Sequence, residues 1–500
     1  MSKESMTLKI NRALEEIERT KTHAARGRMR QYYHFMPETG WMNDPNGLVF
    51  YKGQYHFFFQ FNPYAPFWGS MHWGHAVSRD LLHWHYLPPA LAPSEIYDDH
   101  PDGGCFSGSA VEYEGKLWLI YTSVSDYGKG IRQTQSIAYS EDGIHFLKYD
   151  GNPVLEAPDG VNPGEFRDPK VWEHDGKFYM VTGASQNGRG KALLFSSDNL
   201  KEWRYVNEIA ESRGDMGSMW ECPDFYSAGD RFVLTFSPMG SGDHTSVYMT
   251  GAFDYKTGKL EAQTAREIDW GMDYYAAQSF LAPDGRRIVV GWANEWSWMP
   301  EWKDWGPTFK EGWCGFFNLP REVSVLEDGS LRFKPIRELE SLRSDACCLD
   351  QISVSGRRKS LKAGNGISYE MKFIIDLDHS DGDVLELELR AGGGMKTICR
   401  FDFLRNELSV NRNNSDGWSR GISRSVMKLH RKSKMDVDIF SDQSSIEIFT
   451  DDYTNNHSNN VFAGEDQRDI FIRAEGGSFL IRNFESYGMQ SCYDAARENL

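Results

Sequence analysis

Leu48-Val49-Phe50-Tyr51-Lys52-Gly53-Gln54-Tyr55-His56-Phe57-Phe58-Phe59 is an apolar run, a Gly-centred turn and a second apolar run. The same pattern returns around Glu114-Gly115-Lys116, Asp175-Gly176-Lys177, Ala228-Gly229-Asp230 and Asp284-Gly285-Arg286, with successive glycines 62, 61, 53 and 56 residues apart. Flanks such as Phe178-Tyr179-Met180-Val181 and Phe232-Val233-Leu234-Thr235-Phe236 carry the aromatic and β-branched residues of strands. One sheet unit repeated every ~50–60 residues is the sequence sign of a propeller, so the expectation is an all-β chain containing a five-bladed β-propeller. Counting back from the turns, Asp44 lies nine residues before Gly53, Asp168 eight before Gly176 and Glu221 eight before Gly229. Equivalent positions in radial blades converge on the axis, so these three acids are expected to meet in one site.

The bulk composition bounds the function. Of 500 residues, 40% are apolar, enough for a large core, and 14% are aromatic, including 16 Trp. Most of these aromatics belong to blade packing, and a minority are candidates for a sugar-facing surface. The formal net charge of −17 argues against nucleic acid or an anionic membrane as partner, because phosphate contacts need clustered Lys and Arg. No window approaches the ~20 apolar residues of a membrane span. The seven cysteines form no Cys-x-x-Cys pair, and the first thirty residues lack an apolar secretory core, so a reduced, cytoplasmic protein is expected. Oligomeric state is not legible.

Residues 1–30 read as a helical extension, with Ile10, Ala13, Leu14 and Ile17 on one face. Residues 31–335 hold the β repeats. Inside them a second element recurs at Ser78-Arg79-Asp80, Ser140-Glu141-Asp142 and Ser196-Ser197-Asp198-Asn199, a structural turn in which Ser and Asp bond their own backbone. Residues 336–352 read as a helical linker. Beyond it, alternating runs such as Tyr369-Glu370-Met371-Lys372-Phe373 and Val384-Leu385-Glu386-Leu387-Glu388-Leu389 predict a C-terminal β-sandwich over 353–500, in a supporting role.

Glycosidic hydrolysis needs one ionised carboxyl group and one protonated one. The strongest segment for this chemistry is Trp41-Met42-Asn43-Asp44-Pro45-Asn46-Gly47, whose acid precedes the first strand. Cys222, beside Glu221, reads as a small packing residue. His72, His75, His83 and His85 lack the acid or Cys partners of a metal site, so neither metal nor cofactor is expected.

Taken in order, Trp41 to Gly47, Phe106-Ser107-Gly108-Ser109, Phe166-Arg167-Asp168-Pro169 and Trp220-Glu221-Cys222-Pro223 resemble the motif set of glycoside hydrolase family 32. Tyr274-Tyr275-Ala276-Ala277-Gln278 and Gly312-Trp313-Cys314-Gly315 are supporting matches. The resemblance implies a five-bladed propeller followed by a β-sandwich, and a retaining β-fructofuranosidase acting on sucrose, sucrose 6-phosphate or short fructo-oligosaccharides. It implies Asp44 as nucleophile, Glu221 as general acid/base and Asp168 as transition-state stabiliser. Trp41, Asn43, Gln60, Trp68, Phe106, Ser107, Arg167, Tyr275 and Trp292 match substrate-binding positions. Arg167 is expected to keep Asp168 ionised, while Trp220 and the other two acids raise the proton affinity of Glu221. The partner is thus a small-molecule sugar. An exo-fructanase acting on inulin or levan, fructosyl transfer, and a catalytically silent sugar-binding propeller remain alternatives. A phosphorylated leaving group would call for cations at the rim, with Arg189, Lys191, Lys303 and Lys310 as candidates.

Overall fold

Each repeat turn is the tip of a hairpin in the computed structural model, which describes residues 5–126, 130–242, 244–298, 305–429 and 432–493. The chain is nearly all-β and divides into two compact units. The first unit comprises Met1–Gly27, Met36–Glu267 and Tyr275–Ser330; the second comprises Arg28–Phe35, Ile268–Tyr274 and Leu331–Leu500.

Among the described residues of the first unit, five sheets each begin on one strand that carries a sequence motif. These strands are β1 (Gly40–Tyr51), β2 (Gly104–Tyr113), β3 (Phe166–His174), β4 (Met219–Ala228) and β5 (Tyr275–Leu281). Each pairs antiparallel with the strand after its hairpin, and further strands add outward. The strands β1 to β5 lie against one another in sequence, and β5 lies against β1 again. The first sheet is completed from both ends of the unit, because Gly40 and Trp41 pair in parallel with Trp313 and Cys314. Apolar clusters fill the spaces between successive sheets; one joins Trp118, Ile120 and Ile137 to Phe166, Val171, Phe178 and Phe195.

The recurring turn is Lys52-Gly53, Glu114-Gly115 and Asp175-Gly176, all with positive φ at both residues. That left-handed pair matches the strand twist and favours Gly. The Ser-Asp element is a hydrogen-bonded turn as expected: Ser78 Oγ accepts from the Asp80 and Leu81 amides, and Asp80 Oδ1 from Leu82 and His83. In the third copy Ser197 and Asn199 do this, one residue later than the Ser-x-Asp spacing suggests. The N-terminal helix is α1 (Met6–Ala24), capped by Ser5, with Ala13, Ile17 and Ala24 buried.

The second unit has two six-stranded sheets that share one core. One runs Arg343–Val354, Phe479–Met489, Tyr369–Asp376, Lys434–Ser441, Ser445–Thr450, Asn455–Asn460; the other runs Lys359–Leu361, Asp469–Glu475, Val384–Gly392, Met395–Asp402, Glu407–Asn411, Ile422–Val426. Tyr369, Met371 and Phe373 from the first meet Leu385, Leu387 and Leu389 from the second. The expected helical linker is corrected here. Only Arg337–Leu342 is helical, as a short 3-10 turn, and Arg343–Val354 is already an edge strand. Leu339 and Leu342 stay in that 3-10 turn, and beyond it the two-residue alternation of Ile352 and Val354, both buried, is that of a strand.

Candidate active site

All three acids sit where β1, β3 and β4 are interrupted by bulges. Met42 faces Phe61 and Pro45 faces Phe59, so Asn43 and Asp44 together oppose Gln60. On β3, Arg167 faces Gly183 and Lys170 faces Val181, leaving Asp168 and Pro169 against Thr182. On β4, Glu221 faces Ser237 and Asp224 faces Thr235, leaving Cys222 and Pro223 against Phe236. β2 and β5 bulge likewise, at Phe106-Ser107 and Ala276-Ala277. Such an insertion re-aims side chains and sharpens the twist. Asp168, Cys222 and Ala276 take φ of 64°, 47° and 54°, left-handed values held by the surrounding structure.

This register corrects one expectation. The acids are not at equivalent positions: Glu221 precedes its bulge, Asp168 is the first bulged residue and Asp44 the second. They nevertheless converge. Ser107 Oγ donates to Asp44 Oδ2 at 2.6 Å, and the Cys222 amide donates to Asp168 Oδ2 at 2.8 Å. The Cys222 thiol lies between the two aspartates, 3.4 Å from Asp44 Oδ2 and 3.6 Å from Asp168 Oδ2. Cys222 therefore does more than fill space. Burial pushes its thiol well above the ordinary value, so it stays protonated and can donate its one hydrogen to a carboxylate.

Arg167 donates through Nε and Nη2 to Glu221 Oε1, at 3.0 and 2.9 Å, and Tyr275 OH donates to Glu221 Oε2 at 2.5 Å. The expected division of charge is thereby changed. Arg167 engages Glu221 directly, while its Nε is 3.9 Å from Asp168 Oδ2. Trp220 also plays a different part: it stacks on Phe236 at 3.8 Å, inside the core between sheets. Burial pushes Asp168 up to about 7; Arg167 opposes this, while Glu221 and Asp44 add to it. Asp44 is raised too, by burial first, with the Ser107 hydrogen bond pulling it down and Glu221 pushing it up. Its Oδ1 is buried and makes no hydrogen bond.

The remaining predicted positions gather around this centre. Trp41 Nε1 donates to Asn43 Oδ1 at 2.8 Å, and Gln60 Nε2 donates to the Cys105 carbonyl at 2.9 Å, bracing the Phe106-Ser107 bulge. Trp41, Cys222, Tyr275 and Trp292 form one buried cluster, with Trp68 and Phe106 packed on it edge to face, ring centroids 6.1 Å apart. Trp292 is fully buried, set edge-on to Trp41 at 5.9 Å and Tyr275 at 6.4 Å.

Sequence reasoning missed Trp296, Trp298 and Trp305, which join the same cluster; Trp296 stacks on Trp41 at 6.2 Å. The run Trp292 to Trp298 contains three tryptophans within seven residues, a signal that was available. Of the four rim cations considered, Lys191 is held by Glu208 and Glu211, Arg189 and Lys310 are exposed, and Lys303 lies outside the described residues. His72 and His75 are buried, and burial lowers both.

The three clustered carboxyl groups include the pair that glycosidic cleavage requires. Comparison with known proteins narrows this class. The model of the glycosyl hydrolases family 32 N-terminal domain matches residues 34–335, and that of the family 32 C-terminal domain matches residues 338–487. A sucrose-6-phosphate hydrolase of Zymomonas mobilis is 38% identical over 493 residues, covering 93% of each chain. A raffinose invertase of Escherichia coli is 37% identical, over 90% of this chain and 93% of its own. Among solved structures, the sucrose-6-phosphate hydrolase of Lactobacillus gasseri matches with a TM-score of 0.84 and 28% identity, covering 96% of this chain and 97% of that one. A family 32 β-fructofuranosidase of Bombyx mori, solved with sucrose, matches with a TM-score of 0.81 and 31% identity, over 96% and 98%. The chain belongs to glycoside hydrolase family 32.

Proposed function

We propose that this protein is a retaining β-fructofuranosidase that hydrolyses the terminal β-D-fructosyl linkage of sucrose, sucrose 6-phosphate or short fructo-oligosaccharides. The observation that carries the mechanism is the meeting of Asp44 and Asp168 on Cys222, with Glu221 on the adjoining residue. Asp44 Oδ1, without a hydrogen bond, is the attacking oxygen: it forms a bond to the fructosyl anomeric carbon as the glycosidic C–O bond breaks. Glu221 gives its proton to the departing oxygen, then takes one from the water that displaces Asp44. Asp168 accepts hydrogen bonds from fructose hydroxyls as positive charge develops on the ring. Arg167 and Tyr275 hold the Glu221 carboxyl, and Trp41, Asn43, Gln60, Trp68, Phe106, Ser107 and Trp292 shape the sugar site.

Five sheets whose first strands follow one another in a closed sequence support a five-bladed propeller, and two sheets on one core support a β-sandwich. Seven free cysteines fit a reducing, cytoplasmic setting.

Two measurements test the reading. Retention means that the first fructose released keeps the β configuration, observable by NMR before mutarotation; release of the α anomer would overturn the double displacement. Turnover of sucrose, sucrose 6-phosphate, kestose and inulin then separates the substrates. A higher kcat/KM for inulin than for the three small sugars would favour the exo-fructanase reading.

A further inference from the structure

A second polar network ties three of the site-bearing strands together. Gln278, on β5, is 6% exposed. Its Nε2 donates to the Cys222 carbonyl at 3.0 Å and lies 3.5 Å from the Pro223 carbonyl, both in the β4 bulge. Its Oε1 accepts from Lys170 Nζ on β3 at 3.2 Å. The same ammonium donates to the Ser279 carbonyl at 2.5 Å and pairs with Asp224 Oδ2 at 3.3 Å, and that oxygen accepts the Ser279 amide at 2.6 Å. Asp224 is fully buried. The amide side chain thus spends its donor on one strand and its acceptor on another. None of these groups touches a carboxylate of the site.

What they hold is the residue that does. Cys222 stands at φ 47°, a strained value for a non-glycine residue, and in that conformation its amide points at Asp168. Its carbonyl, on the other side of the same residue, is the one Gln278 binds. The carbonyl and the amide belong to successive peptide planes joined by φ and ψ of Cys222, so holding the carbonyl removes one of the freedoms by which the strained residue could relax and turn its amide away from Asp168.

We propose that Gln278, anchored by Lys170, is a positioning residue for the Asp168–Glu221 pair, acting through the Cys222 backbone. This rests on the catalytic reading above. With Gln278 in place, the Cys222 amide favours ionised Asp168, and Glu221, one residue earlier, is delivered to Arg167 and Tyr275. Without it, the carbonyl loses its side-chain donor and the bulge relaxes toward a less strained backbone.

The test is Gln278→Met, which keeps volume and removes the amide, measured on sucrose across pH. The expected result is a fall in kcat of about ten- to hundredfold with KM little changed, as for a small displacement of reacting groups. The acid limb of kcat should also move to higher pH, since Asp168 loses its amide donor. A purely structural role would lower thermal stability and leave that limb in place, and this outcome overturns the proposal. Gln278→Glu, which keeps shape and the Lys170 partner but offers carbonyls no donor at neutral pH, serves as the second variant if the first does not fold. Near-normal kcat in Gln278→Glu overturns the proposal as well. Glu221→Ala run in parallel keeps the two readings apart: if it retains turnover, the catalytic assignment fails; if it is inactive while Gln278→Met is normal, only the positioning role fails.

Discussion

Both units bury carboxylates in β-sheets and pair many of them with cations, as Asp224 with Lys170 in the first, but the three acids of the candidate site are treated differently. In the second unit several buried acids meet a cation. Asp273 pairs with Arg412 at 2.5 Å, both fully buried; Glu370 takes Arg343; Glu386 takes Arg473 and Arg400. Asp442 and Glu447 share His34, which they raise to about 9 against the opposing effect of burial. In the first unit Asp44, Asp168 and Glu221 crowd around one arginine, and burial together with mutual repulsion raises Asp168 to about 7. Asp438 in the second unit is raised to about 7 as well, by burial and Glu370, but it sits on a regular ladder, whereas at the site of the first unit the crowding coincides with left-handed residues inside strand bulges. Excess like charge and stored strain together, more than burial of acids alone, mark the place of chemistry.

The contrast can be broken or sharpened at five points. The largest effect should come from Asp44→Asn, which removes the proposed nucleophile and should lower kcat on sucrose at least about 10⁴-fold. Glu221→Ala should lose roughly 10²–10⁴-fold and recover partly with added azide, which can attack the fructosyl enzyme. Absence of rescue, with equal losses on sucrose and on a fructoside that needs no protonation, would move the acid/base role elsewhere.

Next comes the paired side of the comparison. Arg412→Leu leaves Asp273 buried without its cation and should cost about 3–5 kcal/mol, read by chemical denaturation of the second unit. A cost below ~1 kcal/mol would mean that these pairs are not what holds the acids.

His34 tests the same idea through pH. Its folded value, about 9, lies above the ordinary 6.5, so its contribution is complete below pH 6.5 and is lost as pH rises through 9. Stability should fall by about 2 kcal/mol between pH 7 and pH 9.5, and His34→Gln should flatten that slope.

The smallest effect has the opposite sign. Asp168 is raised from 3.8 to about 7, so its ionisation destabilises the native state progressively across that window. Asp168→Asn should thus gain ~1–2 kcal/mol relative to the parent above pH 7, with no gain near pH 4, while losing activity. Equal stability at both pH values would remove the asserted charge crowding.

Much of this was legible in the sequence. Hairpin turns, strand runs and the motif acids depend on local residue types, and the structure places all of them in β strands or their turns. The bulges were not, since an inserted residue leaves no compositional trace. Gly229 also misled as a ruler: it is the first residue of its turn, whereas Gly53, Gly115 and Gly176 are second. The direction of Arg167 was hidden for a similar reason, because which of two acids it meets depends on bulge geometry and not on adjacency in the chain. Likewise Arg28–Phe35 and Ile268–Tyr274, far apart in sequence, both belong to the second unit through contacts such as the Tyr33 hydroxyl with the Ser441 carbonyl and the Asp269 carboxylate with Ser458. Side-chain pairing across such separations has no local signature.

The parallel pairing of Gly40 and Trp41 with Trp313 and Cys314 sets a clock on biosynthesis. The strand that carries Asp44 leaves the ribosome early, yet its neighbour on the other flank is made ~270 residues later, on the order of tens of seconds at ~5–20 residues per second. For that interval one flank of the nascent first sheet stays open to foreign strands, so a chaperone that shields this edge should raise the yield of active enzyme more than one that assists the later sheets.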